Sequence, residues 1–476
     1  MSTPVLRSSP TGISALISGA GIGGLVAALE LWRKGCNVRV FEKTAVSSTA
    51  GDVINIGQSA LKFLDHWPEM KKRHDEIAYS PLFAGCTLAG ERRLRPGEMA
   101  RVNLAVKDPE KAKRITTWSA AMHSRPKFHA LLLEQVRKCG IPIEFGREVV
   151  DYFEDEDSAV GGIVLKDGER CEANVVVAAE GWHGQSWRLV AGEPVPAKSS
   201  GLAIFRAAYP VELAVRDPVV AERFKLREGD RTTFELWTGE GRVFATFWRN
   251  HESMMWSVTR PDLDGTAVES WSNKIDVEEV LKFTSHVPGW AEVADRVIKE
   301  TPGGELIDWK LMWRDPQHNW VSPRGFVVQL GDAAHTFLPS SGNGATQAIE
   351  DAVSLAACIA AAKNIPDATR VHNLLRFERV SFLQAMGVAR SHTRIESGAK
   401  NLKEPPVPGS WLWEHDAEAY AEERFEEARL HLEDRTRPFL NTNRPTKGVE
   451  YIPWTIDGLI QGLEKGEPTI LDGDWS

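Results

Sequence analysis

The sequence contains little cysteine and no long apolar run. Its 476 residues include five cysteines, an odd number without a Cys-x-x-Cys pair. That pattern argues against a disulfide framework and a structural zinc site, and it favours a reducing compartment, so we expect a cytoplasmic protein. No segment approaches the roughly 18 uninterrupted apolar residues of a membrane helix, and the first residues do not read as a signal peptide. We therefore expect no membrane span.

Positive charge is also in short supply. Lys and Arg number 57 against 66 Asp and Glu, and the resulting net charge of −9 is evenly scattered. This balance argues against nucleic-acid binding, so any anionic ligand must be held by a local site. The histidines show no HxxxH or facial-triad spacing, and no GxSxG motif is present, so we expect neither a metal site nor a hydrolase. The acidic run at residues 154–157 is expected at a solvated hairpin tip.

A βαβ unit is predicted near the amino terminus. An apolar run at residues 14–18 is followed by a glycine cluster, a helical pattern at 25–34 and a β-type run at 38–41. Two further buried strands are predicted at 175–179 and 326–330, each running into a glycine-bearing turn. Because these strands are far apart in sequence, we expect a discontinuous nucleotide-binding domain with a parallel sheet.

The glycine cluster fits the GxGxxG motif. Gly19 and Gly21 would allow a tight turn and close approach of the backbone to a pyrophosphate, and Gly24 would allow tight helix packing. Glu42 ends the second strand, where a carboxylate can accept hydrogen bonds from a ribose and would repel a 2′-phosphate. The alternative is a glycine-rich turn without a nucleotide, but the context favours FAD or NAD.

The middle and the end of the chain have different patterns. Strands rich in aromatic and β-branched residues are predicted at 201–209, 232–237, 243–248 and 254–259, which indicates a separate antiparallel sheet. Helices are predicted at about 346–363 and 367–398. Residues 413–434 predict a further helix, followed by a proline-bearing strap over the surface at 438–453.

The motif after the last buried strand is the most specific in the chain. It reads Gly-Asp-Ala-Ala-His at 331–335 and continues with Pro339, Gly342, Asn343 and Gly344. With the amino-terminal glycines, it resembles the single-component (group A) FAD-dependent aromatic hydroxylases, whose fold is like that of p-hydroxybenzoate hydroxylase. Residues 66–70 and the Trp-rich tail are similar to the fungal salicylate hydroxylase-like branch. The resemblance covers roughly residues 13–395 and implies FAD as cofactor with NADPH or NADH as co-substrate.

Physical reasoning and the resemblance assign the same roles to this motif. Asp332 would lie at the carboxyl edge of a parallel sheet and accept hydrogen bonds from ribitol hydroxyls. Pro339 and Gly342, our candidate catalytic positions, would leave a surface poor in side chains against the flavin, with room for O2 and with backbone N–H groups near developing negative charge. Asn343 and Gly344 complete this cofactor-binding loop. For His335 we favour a packing and hydrogen-bonding role over acid–base work.

Two further cofactor contacts follow from the resemblance. Arg125 matches an arginine box that lies near the flavin or its pyrophosphate, whereas spacing alone allows a solvated arginine at a helix start. Glu180 stands where the family's DG box has aspartate, so its contact with FAD and nicotinamide is the weaker expectation; Gly181, Ser186 and Arg188 match.

The substrate residues are predicted on the middle sheet. Arg206 matches a strand whose arginine, in some relatives, holds a phenolate or carboxylate, and a salt-bridged structural arginine is the equal alternative. The same sheet carries large aromatic side chains at Trp237, Phe247, Trp248 and Trp256. We expect those on the inner face of the sheet to line the binding site of an aromatic ligand.

The resemblance thus implies an α/β fold with a Rossmann-like FAD-binding domain (1–80, 101–190 and 301–395), an antiparallel β-sheet substrate domain (81–100 and 191–300) and a C-terminal helical extension (396–476). It implies a FAD-dependent monooxygenase that uses NAD(P)H and O2, through a flavin hydroperoxide, to hydroxylate, epoxidise or dearomatise an aromatic or secondary-metabolite substrate. The alternatives are a flavin-dependent halogenase, whose Ile-Pro box is missing after Trp413, and a FAD-binding protein without turnover. We expect a monomer or a homodimer.

Overall fold

The computed structural model describes residues 5–45, 53–79, 82–93, 120–226, 232–239, 242–262, 265, 267–268, 273–395, 405–406 and 408–475. The strands in chain order are β1 (Ser14–Ser18), β2 (Asn37–Glu42), β3 (Val53–Gly57), β4 (Leu82–Thr87), β5 (Ala120–Ser124), β6 (Ile143–Phe145), β7 (Val149–Asp155), β8 (Val160–Leu165), β9 (Arg170–Ala173), β10 (Val175–Ala178), β11 (Lys198–Pro210), β12 (Thr232–Thr238), β13 (Phe244–Asn250), β14 (Ser253–Pro261), β15 (Ile307–Trp313) and β16 (Val327–Gln329).

The helices in chain order are α1 (Ile22–Arg33), α2 (Gln58–Leu61), α3 (Pro68–Ile77), α4 (Arg125–Lys138), α5 (Trp187–Val190), α6 (Val211–Ala214), α7 (Pro218–Arg223), α8 (Val277–Thr284), α9 (Glu292–Lys299), α10 (Gly344–Ala361), α11 (Ile365–Ile395), α12 (Ser410–Trp413), α13 (Ala417–Glu433) and α14 (Ile456–Lys465). Short 3-10 helices cover Lys62–His66, Gly331–Ala333 and Pro339–Ser341. Within the described residues, none of these helices is both long and apolar enough to cross a bilayer.

A five-stranded parallel sheet forms the centre of the first domain. Its strand order is β16-β10-β1-β2-β6, so strands from distant parts of the chain lie side by side. Every residue of β10 is buried, as expected for a strand covered on both faces. The predicted βαβ unit and the α/β Rossmann-like fold are confirmed.

The core of this domain packs α1 and α10 against the parallel sheet. The carboxy-terminal helix α13 belongs to the same core, because its Ala417, Ala421, Phe425 and Ala428 are buried in one cluster with α1 and α10. The C-terminal extension is therefore an integral layer of the fold. The predicted surface strap is irregular in structure, as expected, but it is anchored by the buried Asn443.

A six-stranded sheet with the order β15-β11-β14-β13-β12-β4 forms the second domain. Its β11, β14, β13 and β12 pair antiparallel, as predicted, whereas β4 joins the edge in parallel. Strand β15 belongs to this sheet although it lies beyond residue 300. We therefore propose that the domain boundary falls after Trp313. The predicted limits near residues 100 and 396 lie outside the described residues.

Smaller sheets complete the architecture. Strand β3 pairs with β5, and β7, β8 and β9 form a three-stranded sheet. The acidic run at residues 154–157 does lie at the β7–β8 turn, but Glu154 reaches back to accept hydrogen bonds from the main-chain N–H groups of Arg324 and Phe326. All five cysteines are unpaired.

A buried ionic network joins α10 to α11. Arg376 donates to Glu350 and Asp351 at 2.8 Å each, and Arg379 donates to Glu350 at 2.8 Å. All four side chains are at most 1% exposed. Arg379 also donates to three main-chain carbonyls of the carboxy-terminal segment, those of Trp411, Leu412 and Asn443. Each buried charge is thus paired, and the last segment is tied to the first domain.

Candidate active site

One cavity of about 1240 Å³ is lined by the carboxyl ends of the parallel strands and by one face of the six-stranded sheet. The cofactor and catalytic candidates from the sequence all line it: the cofactor candidates Gly19, Gly21, Gly24, Glu42, Arg125, Glu180, Asp332, Asn343 and Gly344, and the catalytic candidates Arg206, Pro339 and Gly342. Their individual roles stay predictions, and the structure adds that all of them face the same space.

The turn between β1 and α1 leaves the start of α1 open to this cavity. Gly19 has a φ of +105°, and a Cβ there would lie 2.3 Å from the carbonyl oxygen of Ala179, so the turn requires glycine. A Cβ on Gly21 would meet no described atom within 4 Å. The N–H groups at the start of α1 therefore adjoin free space, where the helix dipole favours a phosphate. This geometry fits the pyrophosphate of a dinucleotide.

Glu42 at the end of β2 braces this turn. One carboxylate oxygen accepts from the N–H of Ala20 at 2.8 Å, and the other accepts from the N–H of Thr44 at 2.9 Å. The oxygen that binds Ala20 keeps a second lone pair for a ribose hydroxyl, whereas the other oxygen also accepts from the Oγ1 of Thr44 at 3.0 Å. On the opposite side of the turn, the buried His129 of α4 lies with its Nε2 2.7 Å from the carbonyl oxygen of Ala20.

Glu180 is held by its own domain. Its carboxylate accepts from the hydroxyl of Tyr152 at 2.5 Å and from the N–H of Ser186 at 2.7 Å. Burial, followed by the negative charge of Glu180, raises the pKa of Tyr152 well above its usual value, so the phenol keeps its proton and acts as the donor. The extra methylene of glutamate, relative to the family's aspartate, is used in spanning these two donors.

Asp332 lies in the 3-10 turn after β16. Asp332 is open to the cavity, yet the protein around it desolvates its carboxyl and raises the pKa, and electrostatic interactions with His335, Arg314 and Arg125 oppose that rise. Arg125, the first residue of α4, thus acts on Asp332 across the cavity. His335 is buried and its Nε2 lies 2.6 Å from Asp351, which fits the packing and hydrogen-bonding role expected for it.

The loop before α10 contributes a further part of the cavity wall. Pro339–Ser341 is a 3-10 helix that ends at Gly342, whose φ is +65°. The side chain of Asn343 donates to the carbonyl of Ser341 at 3.0 Å, and α10 begins at Gly344. Its first N–H groups have no partner within the helix, so the loop presents backbone donors and few side chains, as expected.

The six-stranded sheet presents alternate residues to the cavity. Arg206 is on the cavity face, but Trp237, Phe247 and Trp256 point to the opposite face and pack in a separate core. Trp248 lies on the same face of its strand as the cavity residues, but its ring packs against Tyr79 and does not line the cavity. None of these four aromatic side chains lines the cavity; the expectation applied to Trp248 alone, as the one on the inner face, and it is wrong for that residue.

Comparison with known proteins decides the family. Residues 13–365 match the family model described as FAD binding domain. FAD-dependent monooxygenase fsr3 of Gibberella fujikuroi is 40% identical, with 99% of this chain and 91% of that protein covered. FAD-dependent monooxygenase dmxR9 of Cryptosporiopsis sp. is 38% identical, with the same coverage of 99% and 91%. The chain belongs to the FAD-dependent monooxygenases.

Solved structures agree with the fold of this monooxygenase. The crystal structure of FqzB matches with a TM-score of 0.78 at 26% identity, covering 93% of this chain and 99% of that one. That of CtdE in complex with FAD and substrate 4 matches with a TM-score of 0.77 at 25% identity, covering 89% and 100%. FAD as cofactor is thus confirmed, and the alternatives of a halogenase and of a protein without turnover are not favoured.

In this monooxygenase, most of the cavity wall that the six-stranded sheet provides was not predicted from the sequence. The described residues that the six-stranded sheet contributes to the cavity are Ile204, Arg206, Phe234, Leu236, Phe244, Thr246, Met255, Ser257, Thr259 and Leu311. Arg206 carries the one charge in this set. No short motif marks these residues. Once the strand pairing is known, Arg206 shows which face of each strand they share, because Arg206 pairs with Ser257 and Ser257 pairs with Thr246.

Proposed function

We propose that this monooxygenase uses NADH or NADPH and O2 to add one oxygen atom to an electron-rich aromatic substrate held against the six-stranded sheet. The observation that carries the proposal is that the dinucleotide turn, the Pro339–Ser341 loop and that face of the sheet line one cavity. The chemistry supplied by bound FAD is the reduction of O2 with nicotinamide electrons, which delivers one oxygen atom to the substrate and the other to water.

The walls of the cavity suit a flat apolar ring. The sheet contributes Phe234, Leu236, Phe244 and Met255, and Leu338, just before the loop, lines the same cavity. A ring that fills this space displaces water from the loop, where the oxygen atom must be delivered. Water exclusion also strengthens every polar contact that holds the substrate.

Arg206 is the substrate-holding cation in this proposal. It lines the cavity together with the apolar side chains of the sheet, and a guanidinium binds well to a phenolate or a carboxylate because both can accept two parallel hydrogen bonds. A phenolate held in this way keeps its ring rich in electrons and therefore reactive towards electrophilic oxygen. In this proposal the first N–H groups of α10, at Gly344 and Ala345, stabilise negative charge that develops next to the loop.

The activity is tested with the purified, FAD-loaded protein. We expect NAD(P)H oxidation to be stimulated by members of a panel of phenols, aromatic acids and indoles, with a product heavier by one oxygen atom. Comparison of NADH with NADPH gives the co-substrate. Formation of hydrogen peroxide alone with every compound would contradict the proposal.

Arg206 is tested by replacement with alanine. We expect KM for a phenolic or carboxylate substrate to rise by about 10- to 100-fold, since a hydrogen bond to a charged group contributes about 1.5–3 kcal/mol. The FAD content and the melting temperature should not change. R206K should recover part of the loss because it restores the charge but not the planar pair of donors. A large fall in melting temperature for R206A would support the structural alternative instead.

The cellular location, the branch of the family and the oligomeric state of the enzyme are further proposals. Five unpaired cysteines support a cytoplasmic location, which fractionation of the source cells would test. Membership of the salicylate hydroxylase-like branch, and a monomeric or homodimeric state, are proposals for substrate profiling and for light scattering.

A further inference from the structure

A row of polar side chains crosses the apolar wall of the cavity. Arg206 on β11 pairs in register with Ser257 on β14, and Ser257 pairs with Thr246 on β13. All three side chains line the cavity. The neighbouring rows on the same face are largely apolar: Ile204, Thr259 and Phe244 on one side, and Met255 and Phe234 on the other.

The two hydroxyls in this row bond to each other. The Oγ1 of Thr246 lies 2.6 Å from the Oγ of Ser257. Their mutual hydrogen bond uses one of the two hydroxyl protons, so the accepting hydroxyl keeps a proton of its own. Within the described part of the chain, the structure gives that proton no protein acceptor. The pair therefore supplies one O–H donor at the cavity wall, beginning on the strand that pairs with that of Arg206.

We propose that the Thr246–Ser257 pair is a second oxygen-binding subsite, so that the substrate carries two oxygens in a 1,3 relation on its aromatic ring. This inference rests on the proposed function, in which Arg206 holds the first oxygen. The side chains of Arg206 and Ser257 start from adjacent strands, whose backbones are about 4.8 Å apart, and this spacing is comparable with that of oxygens on 1,3-related ring carbons. Oxygens on adjacent carbons are much closer together and would compete for one subsite.

Because two hydroxyls form the subsite, replacement of either one leaves a hydrogen-bond donor for the substrate. If Thr246 is replaced with valine, Ser257 no longer bonds to it and can still donate to the substrate; the reverse holds for S257A. We therefore expect each single variant to lose less than the double variant T246V/S257A. The double variant should fold, because replacing both members of a hydrogen-bonded pair by apolar groups of similar shape is nearly neutral.

The test compares two ligands that differ by one oxygen. Binding of 1,3-dihydroxynaphthalene and of 1-naphthol to the FAD-loaded protein is followed by the change in the visible spectrum of the flavin. We expect the wild type to bind the 1,3-diol about 3- to 10-fold more tightly than 1-naphthol, the effect of one additional net hydrogen bond. T246V/S257A should lose this preference while its affinity for 1-naphthol stays unchanged. As a third ligand, 2,3-dihydroxynaphthalene should bind no better than 1-naphthol.

A matched control is the same exchange on the opposite face of the same sheet. Thr233 on β12 belongs to that face, so T233V should keep the wild-type preference for the 1,3-diol. If T246V/S257A loses affinity for both ligands equally, the pair only supports the sheet and the inference fails. The inference is also overturned if the wild type shows no preference for the 1,3-diol or binds neither naphthol. The proposed function fails separately, if no compound of the broader panel gives an oxygenated product.

Discussion

At the scale of single residues, Gly21 separates the folding of the dinucleotide turn from its binding function. Its φ of −71° is open to any residue, and a Cβ there would project into the cavity. We expect G21A to fold with an unchanged melting temperature of the FAD-free protein, but to bind FAD at least about tenfold more weakly, because a methyl group occupies the approach of the phosphate. FAD titration and thermal unfolding measure the two quantities.

The control for this prediction is Gly24, one turn along the same helix. A Cβ on Gly24 would lie 2.0 Å from the carbonyl oxygen of Gly19, so G24A should lower the melting temperature as well as FAD affinity. If G21A destabilises the FAD-free protein as much as G24A does, the separation of the two roles is wrong.

Glu180 is the second residue with a specific expectation. Restoring the family's aspartate, E180D, should reduce stability by about 1–3 kcal/mol, because the shorter side chain cannot reach both the hydroxyl of Tyr152 and the N–H of Ser186. Urea unfolding measures this change. In a Y152F background the cost of E180D should shrink, and an unchanged cost would show that the bond to Tyr152 does not contribute.

Motifs with fixed spacing were the part of the site that the sequence could reveal. The glycine turn, Asp332 and the loop at Pro339 carry such spacing, and all of them line the cavity. Thr246 and Ser257 carry none, since a strand residue reaches the cavity only through its parity, which depends on the register with distant strands. The outcome for Trp237 has the same origin: its place on the predicted sheet left its face open, and its parity in the strand puts the ring in the core.

At the scale of secondary structure elements, the packing of α13 against α1 depends on a cluster of charged side chains. His66 lies with its Nδ1 3.0 Å from Glu30 and its Nε2 2.8 Å from Glu418. Burial lowers the pKa of His66, but the hydrogen bonds to Glu30 and Glu418 outweigh it and raise the pKa from 6.5 to about 9. The glutamates also bind Arg33, so the cluster is already neutralised without a metal ion.

This raised pKa predicts a pH dependence of stability. Because the folded protein holds the proton more tightly than the unfolded chain, the stabilisation is fully present below pH 6.5 and is lost as the pH rises through 9. We expect the free energy of unfolding to fall in this interval by at most about 1.4 kcal/mol per pH unit. In H66Q this component should disappear, whereas H286Q, at an exposed histidine bonded within its own turn, should keep it. An unchanged pH profile in H66Q would contradict the assignment.

Elements with a strong local pattern were predicted, and those defined by distant pairing were not. The βαβ unit and the helices α10, α11 and α13 have clear periodicity. Strand β3 is short and pairs only with β5, which is more than sixty residues away in sequence, and β15 follows two helices before it returns to β11. Helix α14 was missed because it has only ten residues between proline- and glycine-rich segments.

At the scale of the whole molecule, the carboxy-terminal segment decides whether the protein unfolds as one unit. Helix α13 contributes to the same core as the dinucleotide turn, and Arg379 holds the carbonyls of Trp411 and Leu412. The segment is therefore expected to be as stable as the domain that binds FAD. An independent tail would instead unfold first and leave FAD bound.

Phe425 distinguishes these two cases. It is buried in the shared core, so F425A should destabilise the whole protein by about 3–5 kcal/mol. The temperature of FAD release should fall together with the temperature at which the helical circular dichroism is lost. E423A, an exposed change on the same helix, should leave both temperatures in place. If F425A lowers only part of the circular dichroism transition while FAD release stays at the wild-type temperature, α13 is a separate unit; if both shift together, the final helix is part of the FAD-binding domain in energy as well as in structure.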